Sequence, residues 1–428
     1  MTQTHKLLDD CFAHDKPRLR HEEALSILKQ RIAPIAGVEN VALVETTGRI
    51  LSTDIAAPHP VPAHTNAAVD GFSFASAGYD ASAGSEFPVT GRVAAGHRLT
   101  EALASGTAAR IFTGAVIPEG HDTVVMQEDV RFGTVGGQEM VGIPAGLKPG
   151  ANVRKAGEDV KTGEVVLRAG TVLRPQDLAA LASLGFGQIS CFTRVRVGIV
   201  STGDEIIHVG APLAPGQVYD ANSPMLAALI GTTGAVAVDL GVLPDKLEEV
   251  KARLAQAATQ FDVIITSGGV SRGEEDHITA ALDALGKRHL WQLAIKPGRP
   301  MSFGQISDCV VLGLPGNPVA VFVCFLLYVW PLLRRMGGAG WPEPTRYQIP
   351  ALFAFKGKKP GRREFWRGIL KETPRGLAVD KFARDGSGLI SGLRAADGLI
   401  DIPEEAEQVQ PGDLVAFIPF SQFGIAQS

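Results

Sequence analysis

Glu205, Asp245 and Asp276 stand just beyond apolar runs, in the strings STGDE (201–205), LPD (243–245) and TSGGVSRGEED (266–276). Hard carboxylate oxygens suit Mg2+, which is commonly shared between one or two protein carboxylates and phosphate oxygens. Any one of these acids also reads as a helix N-cap, because carboxylates favour helix starts. Their neighbours shift the balance toward a site. Ser267, Gly268, Gly269 and Ser271 follow the apolar run DVIIT and precede a helical stretch. Glycines there let backbone N–H groups approach an anion, and a helix start adds partial positive charge. The same string also fits a tight strand–helix turn. It is neither a P-loop, lacking GK[ST], nor a GxGxxG fingerprint. Lys296 and Arg299 flank a Pro-Gly turn in KPGRP (296–300). They could hold two cations toward a phosphate or oxyanion, or remain solvated loop charges. Last comes GLPGNP (313–318), where Pro315 stiffens the turn, Asn317 is placed to cap a helix and Pro318 suits its first position.

These turns need a frame that brings them together. From 195 onward, apolar strands read at 195–200, 236–240, 263–266 and 310–312, with helices at 224–232, 247–257 and 278–285 between them. That alternation predicts a parallel sheet with right-handed crossovers. Ligands of such sheets bind beyond the carboxyl ends of the strands, so all five turns are expected on one rim. Upstream, 21–32 has helical apolar spacing, and a Pro-rich passage at 58–62 marks a boundary. Short β-type runs broken by glycine fill about 65–150, and a helix starting at Pro175 ends before Gly185. After the linker WPEP (341–344), alternating runs to the end suggest a compact β-barrel or sandwich.

Composition narrows the classes. Forty-one basic and 45 acidic residues in 428 give a net charge of −4 without a basic stripe, which argues against nucleic acid as partner. Cys11, Cys191, Cys309 and Cys324 are far apart and show no zinc spacing, so they read as reduced thiols. No HExxH or GxSxG string occurs. The N-terminus has no apolar signal region, and the longest apolar run, 319–330, is too short to span a bilayer. A cytoplasmic protein with no membrane partner is expected.

The strings AVDGFSF (68–74), IFTGAVIPEGHDTVVMQED (111–129), NVRKAGEDVKTGE (152–164), VSTGDEI (200–206), GQVYDANSPML (216–226), TSGGVSRGEEDH (266–277), IKPGRPMSFG (295–304) and GLPGNPVA (313–320) together resemble the MoeA family. These are the molybdopterin molybdenumtransferases, related to the C-terminal part of gephyrin, and the likeness runs from about residue 20 to 425. It implies a multidomain α/β plus β fold. A split linking domain would occupy 1–57 and 152–192, and an inserted β domain 58–151. A doubly wound α/β molybdopterin-binding domain would occupy 193–340, and a C-terminal β-barrel 341–428. It implies a homodimer in which clefts combine the α/β domain of one subunit with the β domain of the other. The implied reaction takes adenylylated molybdopterin and molybdate, cleaves the adenylate with Mg2+ as cofactor, and yields molybdenum cofactor and AMP. Contact with other molybdenum cofactor biosynthesis proteins is implied as well.

Carried over by residue, the family's catalytic positions fall on Asp70, Thr113, Asp159, Glu205, Asp245 and Asp276, with Glu205 and Asp276 holding the metal. Ser267, Gly268, Gly269, Ser271, Lys296, Arg299, Pro315 and Pro318 would bind the ligand, joined by Arg367 in REFWRG and Ser391 in SGLISGL. Two positions depart from the family pattern: Gln292 stands where lysine is common, and Arg299 replaces a lysine. The likeness also admits a peptide-binding scaffold, as in gephyrin, or the sister activity that adenylylates molybdopterin. The absence of a long linker and fused partner domain weighs against the first, and the additional domains weigh against the second.

Overall fold

The computed structural model describes residues 18–268 and 277–426, with backbone alone at 288–291. The chain divides into two units. The larger comprises 1–53, 169–174 and 188–428, the smaller 54–168 and 175–187.

In the larger unit a six-stranded sheet runs in the order Val236–Leu243, Arg196–Thr202, Val263–Ser267, Cys309–Leu314, Pro300–Ile306, Lys287–Gln292. The first four strands are parallel. Pro300–Ile306 is antiparallel to both of its neighbours, so the sheet is mixed rather than wholly parallel as the alternation predicts. The reason is local. Cys309–Leu314 is entered by a hairpin, with Ser307 at φ 53°, and not by a crossover helix. Lys287–Gln292 reads KRHLWQ, too polar to stand out as a strand.

The parallel strands are apolar without alternation because both faces are covered. Val263, Ile265, Val310 and Leu312 pack with Leu226 and Ile230 of the helix Asn222–Gly231 on one face. Ile264 and Val311 pack on the other face with Val250, Leu254, Ile278 and Leu282, from the helices Leu247–Ala258 and His277–Leu285. Helices on both sides leave the strand ends as the open place for a ligand.

The apolar run is longer than the sequence suggests. Pro318–Met336 is one continuous helix, apolar and long enough by length and composition to cross a bilayer, yet it is mostly buried inside the protein. Its middle turn, Phe325–Val329, is π-helical. Pro331 has no N–H to donate back to the preceding turn, and the ladder widens just before it.

The helix His21–Arg31 sets Ala24 and Leu28 against this core, and Arg20 N–H donates to Glu23 Oε2 at 3.0 Å to close its first turn. His21 is fully buried. Its Nδ1 lies 2.8 Å from the Tyr328 hydroxyl, whereas Nε2 has no hydrogen-bond partner among the described residues. Burial first, and then the nearby Arg363 charge, lower its pKa to about 3. In the unfolded chain His21 takes a proton below about pH 6.5, which the folded chain refuses until about pH 3. Stability is therefore lost as pH falls through that window. Between pH 7 and 5 the loss attributable to His21 is about 2 kcal/mol. Urea titrations of the protein and of His21→Phe at both pH values should differ by that amount, and equal pH dependence would contradict this account.

The C-terminal sheet has the order Ile295–Lys296, Arg363–Thr373, Gly398–Ile402, Leu414–Pro419, Tyr347–Pro350. Gly376–Lys381 pairs with the far half of Arg363–Thr373, and a bridge from Val379 to Ala351 brings the sheet back toward its other end. Gly368 is required here, since a Cβ on it would lie 2.8 Å from Ile400 and 2.9 Å from Phe417.

The smaller unit holds a second six-stranded sheet, in the order Thr123–Met126, Gly71–Phe74, Ala108–Ile111, Ser85–Val93, Gln138–Ile143, Arg131–Val135. Phe72, Phe74, Phe87, Val125 and Val141 form one of its cores.

Candidate active site

Beyond the carboxyl ends of the parallel strands lies a cavity of about 1200 Å³. Its wall takes Gly203 and Glu205 from the first turn, Asp245 from the second, and Ser267 and Gly268 from the third. Lys296 to Gly298 come from the fourth, and Pro315 to Pro318 from the fifth. Five turns spread over more than a hundred residues of chain thus face one space, on the rim where the strand order places them.

The turns are tied to each other. Asn222 Nδ2 donates to Ser267 Oγ and to the Gly316 carbonyl, both at 2.7 Å. Asp220 Oδ1 accepts the N–H groups of Asn222 and Ser223 at 3.0 Å and so fixes the start of that helix. Asp245 N–H donates to Asp204 Oδ1 at 3.1 Å, which links the two acid turns. Gly268 has φ +94°, and a Cβ on it would lie 2.9 Å from the Thr202 carbonyl oxygen, so a side chain is excluded twice over. Gly203 lies under the Glu205 carboxylate: a Cβ on it would come 2.6 Å from Oε2.

The helix beginning at Pro318 is started differently from expectation. Asn317 occupies the cap position but makes no side-chain capping bond. Instead Val319 N–H donates to the Ser387 carbonyl at 2.9 Å, which draws the C-terminal loop 382–390 to the cleft. Arg367 holds the same loop. Its Nη1 donates to the Leu389 carbonyl at 3.0 Å and its Nη2 to the Arg384 carbonyl at 2.7 Å. Arg367 lines the cavity beside Lys381 and Phe382, with its guanidinium over the Phe382 ring.

Both signs of charge face the space. Lys296, Arg367 and Lys381 supply cations, with the Asp385 carboxylate beside Lys381, and Glu205, Asp220 and Asp245 bring further carboxylates from the sheet side. Lys381 is packed against Trp366 and Phe355 and donates to Asp385 Oδ1 at 2.6 Å, a bond that is the main cause of the lowered Asp385 pKa. Glu205 is exposed and Asp245 partly so. Two oxygen-rich acids on one wall are a donor set that fits Mg2+ shared with a phosphate. Among the described residues no group of three or more His, Cys, Asp or Glu is gathered as a metal cage.

Other expected residues lie elsewhere. Gly269, Ser271 and Asp276 are outside the described residues. Arg299 is exposed and is not part of the cavity wall, nor is Ser391, although its neighbour Ile390 is. Asp70, Thr113 and Asp159 belong to the smaller unit. Asp70 Oδ1 accepts both the N–H and the hydroxyl of Thr113 at 2.7 Å, and these two bonds lower its pKa. Asp159 is exposed, with its N–H on the Val61 carbonyl. The buried thiols offer no nucleophile: burial pushes Cys309 and Cys324 up to about 12.

Sequence reasoning did not single out Asp220, Asn222, Glu364, Trp366, Lys381 or Phe382 as site residues. The string GQVYDANSPML carried a signal for the first two, since an Asp-x-Asn before an apolar helix is a capping pattern.

Comparison with known proteins places the chain among the multidomain transferases of molybdenum cofactor biosynthesis. The chain belongs to the MoeA family. Residues 19–185 match the MoeA N-terminal region (domains I and II), 198–335 a probable molybdopterin binding domain, and 349–420 the MoeA C-terminal region (domain IV). A molybdopterin molybdenumtransferase of Haemophilus influenzae is 37% identical over 94% of this chain and 98% of its own length. Molybdopterin molybdenumtransferase 2 of Mycobacterium tuberculosis is 33% identical over 92% of this chain and 96% of its own. A crystal structure of a molybdopterin biosynthesis MoeA protein from Pyrococcus horikoshii matches 94% of this chain and all of its own, with TM-score 0.81 and 31% identity.

Proposed function

We propose that the protein inserts molybdenum from molybdate into adenylylated molybdopterin, with Mg2+-dependent release of AMP to give molybdenum cofactor. The observation that carries this reading is a large cavity beyond the strand ends, lined by the cations Lys296, Arg367 and Lys381 and by carboxylates that include Glu205 and Asp245. Its volume, about 1200 Å³, is ample for a pterin joined to a nucleotide. On this reading Ser267 and Gly268 receive phosphate oxygens, while Lys296 and Arg367 meet phosphate or molybdate oxygens. Glu205, with Asp276, would hold Mg2+, which supplies charge neutralisation at the phosphate bond being cleaved. Asp70 and Thr113 would reach a cleft of the partner subunit in a homodimer, and the protein would act in the cytoplasm.

The test is AMP release from adenylylated molybdopterin while molybdate and Mg2+ are varied separately. Release that depends on both ions is the expected result. Formation of adenylylated product from ATP and molybdopterin, with no release in the first assay, would replace this reading with the sister activity.

A further inference from the structure

Glu364 lies on the C-terminal sheet, is 2% exposed, and is not among the residues that line the cavity. A buried carboxylate needs partners, and those of Glu364 converge from both sides. Arg362 donates to Oε1 through Nη2 at 2.7 Å and Nε at 3.2 Å. Trp366 Nε1 donates to Oε2 at 2.9 Å, and Lys296 Nζ stands 3.7 Å from the same oxygen. The approach of Lys296 is set by backbone register. Ile295–Lys296 pairs in parallel with Arg363–Glu364, and Lys296 falls directly opposite Glu364. The lysine side chain remains half exposed and lines the cleft.

Resting on the transferase reading, we propose that Glu364 is a positioning residue that holds the Lys296 ammonium where an oxyanion of the substrate meets it. A lysine side chain is a flexible four-carbon stem, and a fixed carboxylate 3.7 Å from its ammonium restricts where the charge can go. Arg362 is the closer partner of Glu364, at 2.7 Å against 3.7 Å for Lys296, so the lysine is steered without being locked into a tight ion pair and stays available to a ligand. Trp366 is the second brace: its indole fixes Oε2 and also carries Lys381 against its face, so one aromatic side chain helps to order both Lys296 and Lys381.

The test is a double-mutant cycle of Lys296→Ala, Glu364→Gln and the pair, read by equilibrium binding of AMP and, separately, of molybdate to the full chain. Lys296→Ala is expected to weaken at least one of the two anions about tenfold, the scale of a charge-assisted contact. Glu364→Gln should weaken the same anion several-fold, and the double variant should bind it no worse than Lys296→Ala. Losses that multiply in the double variant, or unaltered binding by Glu364→Gln, would overturn the proposal, because a purely structural role for Glu364 does not depend on Lys296. If Glu364→Gln does not fold, Trp366→Phe, which removes one brace and keeps the charge, serves in its place with the same two outcomes. Coupling in binding without AMP release from adenylylated molybdopterin would leave this inference standing and remove the transferase reading. Turnover without coupling would do the reverse.

Discussion

Glu205→Gln is expected to lower AMP release on the order of a hundredfold or more, the scale lost when a single contact to developing charge at a reacting group is removed. The carboxylate stands over Gly203 on the cavity wall, on a turn tied by Asp204 to the Asp245 turn. Because Glu205 is exposed, the amide should leave the unfolding midpoint unchanged. If Glu205 holds Mg2+ as proposed, its replacement also weakens the metal, so part of the activity should return as Mg2+ is raised. Steady-state AMP release across a Mg2+ series checks both points. Full turnover at ordinary Mg2+ would withdraw Glu205 from the site.

The second large effect is on stability. Asp401 is 1% exposed and receives Arg363 Nε at 2.6 Å, Arg363 Nη2 at 2.9 Å and Arg346 Nε at 2.8 Å. Burial alone would raise its pKa, but the bonds from Arg363 and then Arg346 outweigh burial and hold it low. Asp401→Ala leaves two partly buried guanidinium groups without their shared carboxylate. Removing one member of a buried pair costs about 3–5 kcal/mol. The four tryptophans, Trp291, Trp330, Trp341 and Trp366, all lie in the larger unit, so urea unfolding followed by their fluorescence reads this unit. A change below about 1 kcal/mol, the scale of an exposed pair, would show that water already reaches the cluster.

What could be read from the chain alone follows a physical division. The strand Val263–Ser267 and the glycine turn after it are legible because a doubly buried strand must be continuously apolar and Gly268 stands where only glycine fits. The acids Glu205 and Asp245 are legible because they follow strand ends. Strands Lys287–Gln292 and Pro300–Ile306 escaped because an edge hairpin has no long apolar run to announce it. Glu364 and Asn222 escaped for another reason. Their contacts are made to partners 68 and 94 residues away, Lys296 and Gly316, and the capping pattern around Asn222 marks a helix start, not that meeting. Arg367 was read as an anion contact, and its bonds to Arg384 and Leu389 add a task that sequence could not suggest: shaping the loop 382–390.

Ile295–Lys296 belongs by sequence to the α/β region but is hydrogen-bonded as an outer strand of the C-terminal sheet, with Arg363 N–H on the Ala294 carbonyl. The two regions are therefore stitched through the very dipeptide that delivers a charge to the cleft. Grafting a foreign C-terminal segment onto this chain is then not a swap of an accessory. The graft would have to recreate a sheet edge at the right height, or the lysine would lose its footing while every residue of the donor region stayed intact.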